Sequence, residues 1–415
     1  MFVHNEYTLN IFEEFSKGNG NVFIQARAGT GKTTSLIEML KHFYTNINLY
    51  PADMQNSKVC FVAFSNEVKK DLDKRVPPGE RAPYEKEVHS FLIRIQKNKS
   101  LGGIKDSDYD RALEVLKKYR EVNNKRSGEV VALLDELDKA LKSRDIEEAI
   151  LCSELAMEDM SDIHVKTFHG LGYGILRSVF ENAGNKIVLD EDKYHKLIKD
   201  FIKPKVPSTV YIEVLAAMKS LVNYIRLSFV DPKDEKSVRM LIIQYDIDLD
   251  RKRPDLMQSV IRWLPEVMEI GEDDARNKGI IDYTDMVYLP VKWELKSANP
   301  YKLMFVDEAQ DLSKITRKLV YEQAMDPSGR AFFIGDSAQS IFGWAGSDIY
   351  SVRETIDIAK AKELPLDICY RCPTSHISLA QKIVPQIKAH AEAKTGVIVC
   401  ADEDILTSIV EVGDM

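Results

Sequence analysis

The sequence predicts an α/β protein in which a doubly wound parallel sheet is interrupted by two helical insertions. Short apolar segments rich in β-branched and aromatic residues, such as 21–26 and 58–64, alternate with segments whose apolar residues recur every three or four positions. This alternation is typical of βαβ units, which build parallel sheets. Two long charged stretches with helical periodicity, at about 71–161 and 181–280, contribute no such strands and are predicted to be the insertions.

The first predicted strand, 21–26, leads into a helix that begins with "KTTSLIEML". Between them lies "ARAGTGKT", which fits the phosphate-loop pattern G-x-x-x-x-G-K-[ST] with Ala26 in place of the first glycine. Small residues allow the backbone N–H groups of such a loop to surround phosphate oxygens at a helix N-terminus. The predicted phosphate-binding residues are Ala26, Arg27, Ala28, Gly29, Thr30, Gly31, Lys32 and Thr33.

Two side chains of this loop are predicted to act beyond the backbone cradle. Lys32 should reach the β- and γ-phosphates of a nucleoside triphosphate, and Thr33 should hold Mg²⁺ through its hydroxyl. The later strand "KLMFVDEAQD" supplies two acids, of which Asp307 is predicted to reach Mg²⁺ through water and Glu308 to be the general base. Two surface acids at a strand end are common, but here four apolar residues precede them and a phosphate loop accompanies them.

A further strand, "RAFFIGD", is followed by the loop "SAQSIFGWAGSD". This loop places Phe342 and Trp344 among glycines, three and five residues after Gln339. Aromatic rings on such a loop suit stacking on single-stranded bases, because every base has a π-face. The alternative is that both rings belong to the core.

Seven segments in order resemble the motifs of the UvrD/Rep-type superfamily 1 DNA helicases. They run from about residue 21 to residue 375 and are "ARAGTGKT", "FVAFSNEV", "VKTFHGLG", "IDYTDM", "FVDEAQD", "IGDSAQSIFGW" and "LDICYRCP". The resemblance implies a RecA-like P-loop NTPase fold that uses ATP and Mg²⁺. It also implies that single-stranded and duplex DNA are the partners, with movement in the 3′-to-5′ direction.

The resemblance assigns roles to individual residues of this chain. Gln339 would sense the γ-phosphate, and Arg371 would meet that phosphate from a second motor domain. The residues that would contact single-stranded DNA are Phe64, Ser65, Asn66, Thr167, Phe168, His169, Phe342 and Trp344. His169 could instead be a core histidine.

Asp282 and Asp285 match a family signature near the nucleotide pocket. A helix N-cap would explain Asp282 nearly as well.

The predicted organisation divides one motor domain into three parts. Residues 1–70, 162–180 and 281–365 form that domain, residues 71–161 and 181–280 form the insertions, and 366–415 begin a second motor domain. A helical hairpin with solvated charged faces is the simplest interpretation of 71–161.

Three departures from the family pattern qualify these predictions. The segment "NEYTLNIFEEF", where the family has a glutamine that reads adenine, contains no glutamine. The first insertion is longer than the family pattern by roughly 80 residues, which is unusual for a connecting segment. Nothing after Leu366 resembles the later motifs of a second motor domain. The chain is therefore either a DNA helicase or an ATP- and DNA-binding fragment that needs a second polypeptide. A small-molecule kinase would leave "QSIFGW" unexplained.

Bulk composition is that of an ordinary globular protein. The net charge of −8 argues against a wholly basic nucleic-acid binder. The sequence contains no run of 18 apolar residues, so a membrane is not a predicted partner. We expect a cytoplasmic location, at the nucleoid or in a host cytoplasm if the source is a phage. Five cysteines fit a reducing compartment, and the Cys369-x-x-Cys372 pair is interpreted as drift around Arg371 rather than as a zinc or redox site.

Overall fold

A six-stranded parallel sheet forms the centre of the computed structural model. The structure describes residues 5–46, 50, 58–64, 66–75, 106–122, 128–144, 149, 163–249, 253–339 and 351–398. The strands are β1 (Val22–Ala26), β2 (Val59–Ala63), β3 (Ile163–Thr167), β4 (Val188–Leu189), β5 (Ile280–Ile281), β6 (Tyr301–Val306), β7 (Met325–Gly335), β8 (Lys362–Leu366), β9 (Ile368–Cys369) and β10 (Lys388–Ala389).

Helices lie on both faces of this sheet and in the insertions. They are α1 (Glu6–Lys17), α2 (Lys32–Thr45), α3 (Asn66–Arg75), α4 (Asp106–Val122), α5 (Gly128–Lys142), α6 (Phe168–Asn182), α7 (Lys193–Ile202), α8 (Tyr211–Ser228), α9 (Glu235–Gln244), α10 (Pro254–Lys278), α11 (Tyr283–Lys292), α12 (Lys314–Lys318), α13 (Ser351–Ala359) and α14 (Thr374–Ala380). None of these helices is both long and apolar enough to cross a membrane.

The strands are ordered β3-β2-β6-β7-β1-β8 across the sheet. Every pair within it is parallel, so the carboxyl ends of all six strands meet at one edge. Strand order reverses beside β1, where β7 lies on one side and β8 on the other. Ligands of open α/β sheets bind at such a point, outside the carboxyl ends of the strands. The predicted α/β fold with a parallel sheet is confirmed.

Alternating strand residues build two cores, one on each face of the sheet. In β1, Phe23 packs with one cluster and Ile24 with the other, as the two-residue repeat of a strand requires. Helices α1 and α2 cover the face of Ile24. Helices α6 and α11 and the 181–280 insertion cover the face of Phe23.

Both predicted insertions contain helices. In the first, α4 and α5 pack together, and Tyr109 Oη donates a hydrogen bond to the carbonyl of Arg144 at 3.1 Å. The second contains α7 to α10 and is closed by a short parallel pair, in which Val188 of β4 lies opposite Ile280 of β5.

Beyond β8 the chain forms a small unit beside the carboxyl edge of the main sheet. Strands β9 and β10 pair with each other, and Cys369, Ile377 and Ile387 form their buried core. Within the described residues, this unit supplies no strand to the six-stranded sheet. We propose that it begins the second motor domain.

Candidate functional site

The phosphate loop connects β1 to α2 at the carboxyl edge of the sheet. Gly29 and Gly31 have φ values of 70° and 82°, in the left-handed region that glycine enters without strain. Gly31 is the N-cap of α2 and no side chain caps that helix. The first N–H groups of α2 therefore remain available to an anion, as phosphate binding requires.

Two short contacts join this loop to the end of β6. Lys32 Nζ lies 2.7 Å from Glu308 Oε2, and Thr33 Oγ1 donates a hydrogen bond to Asp307 Oδ2 at 2.6 Å. These residues are 274 or more positions apart in the chain, and the parallel sheet brings them together. The structure thus assembles the four side chains that the sequence predicts for phosphate and metal binding and for the general base.

The two acids differ in their surroundings. Asp307 is 1% exposed, and burial raises the pKa of its carboxyl, while the hydrogen bond from Thr33 opposes that rise. The side chain of Glu308 is 35% exposed, and its backbone has a φ of 49°, a strained value for a residue with a side chain. Such strain often occurs at functional positions, where the surrounding structure compensates for it. The oxygens of Thr33 and Asp307 are of the type that Mg²⁺ prefers, so they fit the metal.

Gln310 is a site residue that the sequence analysis missed. It is 3% exposed, and its Nε2 donates to Glu308 Oε2 at 2.9 Å. Its Oε1 accepts the backbone N–H of Asp336 at 3.1 Å. Gln310 therefore connects the predicted base to the loop that carries Gln339. The glutamine two residues after the base was visible in "DEAQD", but its partner at Asp336 was not.

Asp336 forms the centre of a second set of contacts. It accepts hydrogen bonds from Gln339 Nε2 at 2.6 Å and from Arg27 Nη1 at 3.2 Å. Arg27 Nε lies 3.7 Å from Asp367 Oδ1, just beyond β8. Burial raises the pKa of Asp367, while the positive charge of Arg27 opposes the rise. The side chain of Arg27, predicted only as part of the phosphate loop, thus links three segments of the site.

The segment that carries Arg371 packs directly on the phosphate loop. Tyr370 N donates a hydrogen bond to the carbonyl of Gly29 at 3.0 Å. A Cβ added to Gly29 would lie 2.8 Å from both Arg371 Cβ and Cys369 Sγ, so only glycine fits there. Arg371 itself is exposed at this edge. Its predicted contact with the γ-phosphate stays a prediction.

The predicted DNA-contacting residues are described only in part. Ser65, Phe342 and Trp344 lie outside the described residues, as does the side chain of Asn66. The alternative that Phe342 and Trp344 are core residues therefore stays open.

Thr167, Phe168 and His169 stand where β3 ends and α6 begins. Thr167 is the N-cap of α6, and its Oγ1 accepts the N–H of Gly170. The ring of Phe168 is 3% exposed and packs against Phe64, so burial does not support a stacking role for that ring.

His169 is exposed, which contradicts the alternative that it is a core histidine. Its ring lies edge-to-face with Tyr283, with ring centroids 6.4 Å apart, and Tyr283 is 48% exposed. Tyr283 is a second residue that sequence reasoning passed over, although it stands within "IDYTDM".

Asp282 is the N-cap of α11, as the alternative interpretation of the sequence held. It forms a capping box with Asp285, in which each carboxylate accepts the backbone N–H of the other residue. Both carboxylates also pair with buried Arg226 of the second insertion. The described contacts of Asp282 and Asp285 are therefore structural.

Replacing Asp311 with asparagine should stabilise the protein, and the gain should grow with pH. Asp311 is 3% exposed, and burial, then the charge of Glu308, raises its pKa to about 6 against the opposing charge of Lys32. Between pH 3.8 and about 6 the folded state holds a proton that the unfolded state has lost, so the free energy of unfolding falls as pH rises. Urea unfolding should give a gain of about 1–2 kcal/mol at pH 8 and a smaller gain at pH 5. An equal gain in the free energy of unfolding at both pH values would show that the pKa of Asp311 is not raised in the folded protein.

Comparison with known proteins places the chain in a family. Residues 10–357 match the family model described as the UvrD/REP helicase N-terminal domain. DNA helicase II of Haemophilus influenzae is 23% identical over 275 residues, which cover 63% of this chain and 35% of that protein. The ATP-dependent DNA helicase PcrA of Staphylococcus epidermidis is 24% identical over 256 residues, covering 58% of this chain and 31% of that protein.

The matches to the curated relatives and to the family model cover different shares of the proteins. The aligned segments span about a third of the length of the curated relatives. The family model, in contrast, covers well over half of this chain, including both the phosphate loop and the "DEAQD" segment. The chain therefore belongs to the UvrD/REP helicase family.

Proposed function

We propose that this chain is the ATP-driven part of a DNA helicase that moves 3′ to 5′ along single-stranded DNA. The observation that carries the proposal is the pairing of Lys32 with Glu308 and of Thr33 with Asp307 at the carboxyl edge of the sheet. These contacts support a proposal in which Lys32 binds phosphate, Thr33 and Asp307 hold the metal, and Glu308 is the general base, all beside the open N-terminus of α2. The named activities of the relatives agree with this use.

In this proposal ATP competes with Glu308 for Lys32. Without nucleotide, Lys32 neutralises Glu308 at 2.7 Å. When the β- and γ-phosphates attract Lys32, the Glu308 carboxylate becomes free to accept a proton from the attacking water. Gln310 continues to hold one oxygen of Glu308 and so keeps the base oriented. Thr33 and Asp307 would hold Mg²⁺, which when bound neutralises charge on the phosphate oxygens.

Hydrolysis would be communicated to DNA through Asp336. The Asp336 carboxylate accepts a hydrogen bond from Gln339, and the Asp336 backbone N–H donates to Gln310, the residue that orients Glu308. A change at the γ-phosphate would thus reach the loop that leads to Phe342 and Trp344. Those two rings would grip bases by stacking, without dependence on sequence.

The alternative proposal is a fragment that binds ATP and DNA but needs a second polypeptide for rapid turnover. The described residues after β8 form one two-stranded sheet and α14, and Arg371 is exposed in the bend that follows β9. An arginine that stabilises a transferring phosphoryl group contributes about 10³–10⁵ in rate when it is held in place. If a second polypeptide is needed to hold the Arg371 guanidinium at the γ-phosphate, this chain alone would bind ATP and hydrolyse it slowly.

Lys32→Ala tests both proposals, because each requires ATP at the phosphate loop. Hydrogen bonds to charged groups contribute about 1.5–3 kcal/mol, so the affinity for Mg·ATP should fall by about 10- to 150-fold. Titration with a fluorescent ATP analogue measures this affinity. Lys41→Ala is the matched control, since Lys41 lies on the same helix and pairs with Glu38 in solvent. Unchanged affinity in Lys32→Ala would overturn the assignment of the loop.

Trp344→Ala tests the proposed contact with DNA. Loss of one stacked base should weaken binding of single-stranded DNA by about 1–3 kcal/mol. Fluorescence anisotropy with labelled oligonucleotides measures the loss, which should be similar for different sequences. If Trp344 is a core residue, circular dichroism will instead show loss of folding.

A further inference from the structure

Two cysteines enclose Arg371 at the edge of the phosphate loop. Cys369 is the last residue of β9 and is fully buried, whereas Cys372 lies three positions later and is half-buried. Cys372 packs against the small core that contains Cys369. The chain bends through residues 370–372. Both are free thiols in this structure.

The same pair is in contact with the nucleotide site. Cys369 Sγ lies so close to Gly29 that no side chain could replace that glycine. The backbone of Tyr370, between the cysteines, donates to the carbonyl of Gly29 at 3.0 Å. A change in the positions of Cys369 and Cys372 must therefore be transmitted to the phosphate loop and to Arg371.

The environment of Cys372 determines which chemistry is open to it. Burial, followed by the negative charge and the hydrogen bond of Cys369, raises the pKa of the Cys372 thiol, while Arg371 opposes the rise. A raised pKa leaves most of this thiol protonated at neutral pH, so only its small thiolate fraction can react with an oxidant and the reaction is slow. Among the described residues, no group of three or more potential ligands lies close enough to hold a metal ion. Because Cys372 packs against the core that contains Cys369, oxidation to a disulfide is open to this pair of thiols.

We propose that Cys369 and Cys372 form a reversible disulfide when the protein meets a peroxide, and that this modification weakens ATP binding at the adjacent loop. The Cys372 thiolate would attack one oxygen of hydrogen peroxide, which breaks the O–O bond, releases hydroxide and leaves a sulfenic acid. Cys369 Sγ would then attack that sulfur, and the S–O bond would break with release of water. Two thiols are oxidised and one peroxide is reduced to two waters.

The disulfide changes the geometry that holds the phosphate loop. A disulfide brings the two Cβ atoms to about 3.8 Å and fixes the dihedral angle between them. The bond would fix the positions of Tyr370 and Arg371, which lie between the two cysteines, and of Cys369 Sγ, which lies beside Gly29. The effect on ATP rests on the proposed function, whereas formation of the disulfide does not.

The first experiment tests the bond itself. The reduced 415-residue protein is treated with hydrogen peroxide, the remaining thiols are alkylated, and the digested peptides are identified by mass spectrometry. A Cys369–Cys372 disulfide that disappears after treatment with dithiothreitol supports the proposal. Cys372→Ser should abolish it and Cys152→Ser should not. Peptides in which Cys369 and Cys372 stay reduced, or in which either pairs with another cysteine, would overturn the proposal.

The second experiment tests the consequence for the nucleotide site. The affinity for Mg·ATP should fall by about threefold to tenfold after oxidation, recover with dithiothreitol, and stay constant in Cys372→Ser. If the disulfide forms and ATP affinity is unchanged, the regulatory inference fails and the proposed function stands. If the reduced protein binds no ATP, the proposed function fails, and the regulatory claim fails with it.

Discussion

Glu308→Gln should leave Mg·ATP binding intact and lower the rate of ATP hydrolysis by about 10²–10⁴, the range expected for loss of a general base. Glutamine has nearly the same shape as glutamate, so the amide oxygen can still accept hydrogen bonds from Lys32 and Gln310. It cannot accept the proton of the attacking water. The side chain is 35% exposed, so the substitution should not disturb the core.

Single-turnover hydrolysis with protein in excess is the suitable measurement, because it detects slow rates that steady-state assays miss. Glu363→Gln is the matched control, since Glu363 is exposed on β8. Hydrolysis by Glu308→Gln at the wild-type rate would show that another group is the base. Loss of ATP binding in the same variant would assign Glu308 a structural role instead.

Local sequence pattern was sufficient to predict β1, β2, β6 and β7 of the sheet, but not the edge strand β8, whose residues are mostly exposed. The apolar runs of β1 and β2 are buried along their whole length, and both lie within a residue of their predicted bounds. Strand β7 begins at Met325, earlier than the predicted start at residue 330, because Tyr301 of β6 pairs with Met325 across a register shift. Periodicity cannot reveal a pairing that depends on an irregularity in the partner strand.

The very short strands were beyond sequence reasoning. Strands β4, β5, β9 and β10 have two residues each, which is too few to produce an alternating pattern. Their existence depends on the packing of the elements around them.

The candidate site also contains features that the sequence could predict and features that it could not. Lys32, Thr33, Asp307 and Glu308 were predictable because each stands at a fixed place in a motif that begins or ends a strand or helix. The link from Gln310 to Asp336 joins residues 26 positions apart, and the link from Arg27 to Asp336 joins residues 309 apart. Such pairs arise from the order of strands in the sheet, which one sequence does not specify.

A buried charge network joins α7 and α8 to the start of α11. Arg226 of α8 donates to both Asp282 oxygens at 2.7 and 2.9 Å and to Asp285 at 3.0 Å, and Lys193 of α7 donates to Asp285 at 2.6 Å. The side chains of Arg226 and Asp285 are 4% and 0% exposed. Two cations and two carboxylates balance, so the network can remain ionised inside the protein.

Arg226→Leu should therefore destabilise the protein by about 3–5 kcal/mol at pH 8, the usual cost of removing one partner from a buried ion pair. The leucine restores apolar volume, but one negative charge is left without compensation. Urea unfolding measures the loss. Arg239→Leu on α9 is the control, because its pair with Glu235 is exposed and should contribute less than about 1 kcal/mol.

The pH dependence of that loss separates charge from packing. Burial already raises the pKa of Asp285, and removal of Arg226, which opposes that rise, should raise it further. Below the raised pKa the folded variant takes up a proton that the unfolded chain lacks, so its stability should increase as pH falls toward 5. A loss caused by uncompensated charge will therefore be smaller at pH 5 than at pH 8. A loss of equal size at both would mean that Arg226 acts by filling space beside Tyr194, over whose ring its guanidinium lies at 4.1 Å.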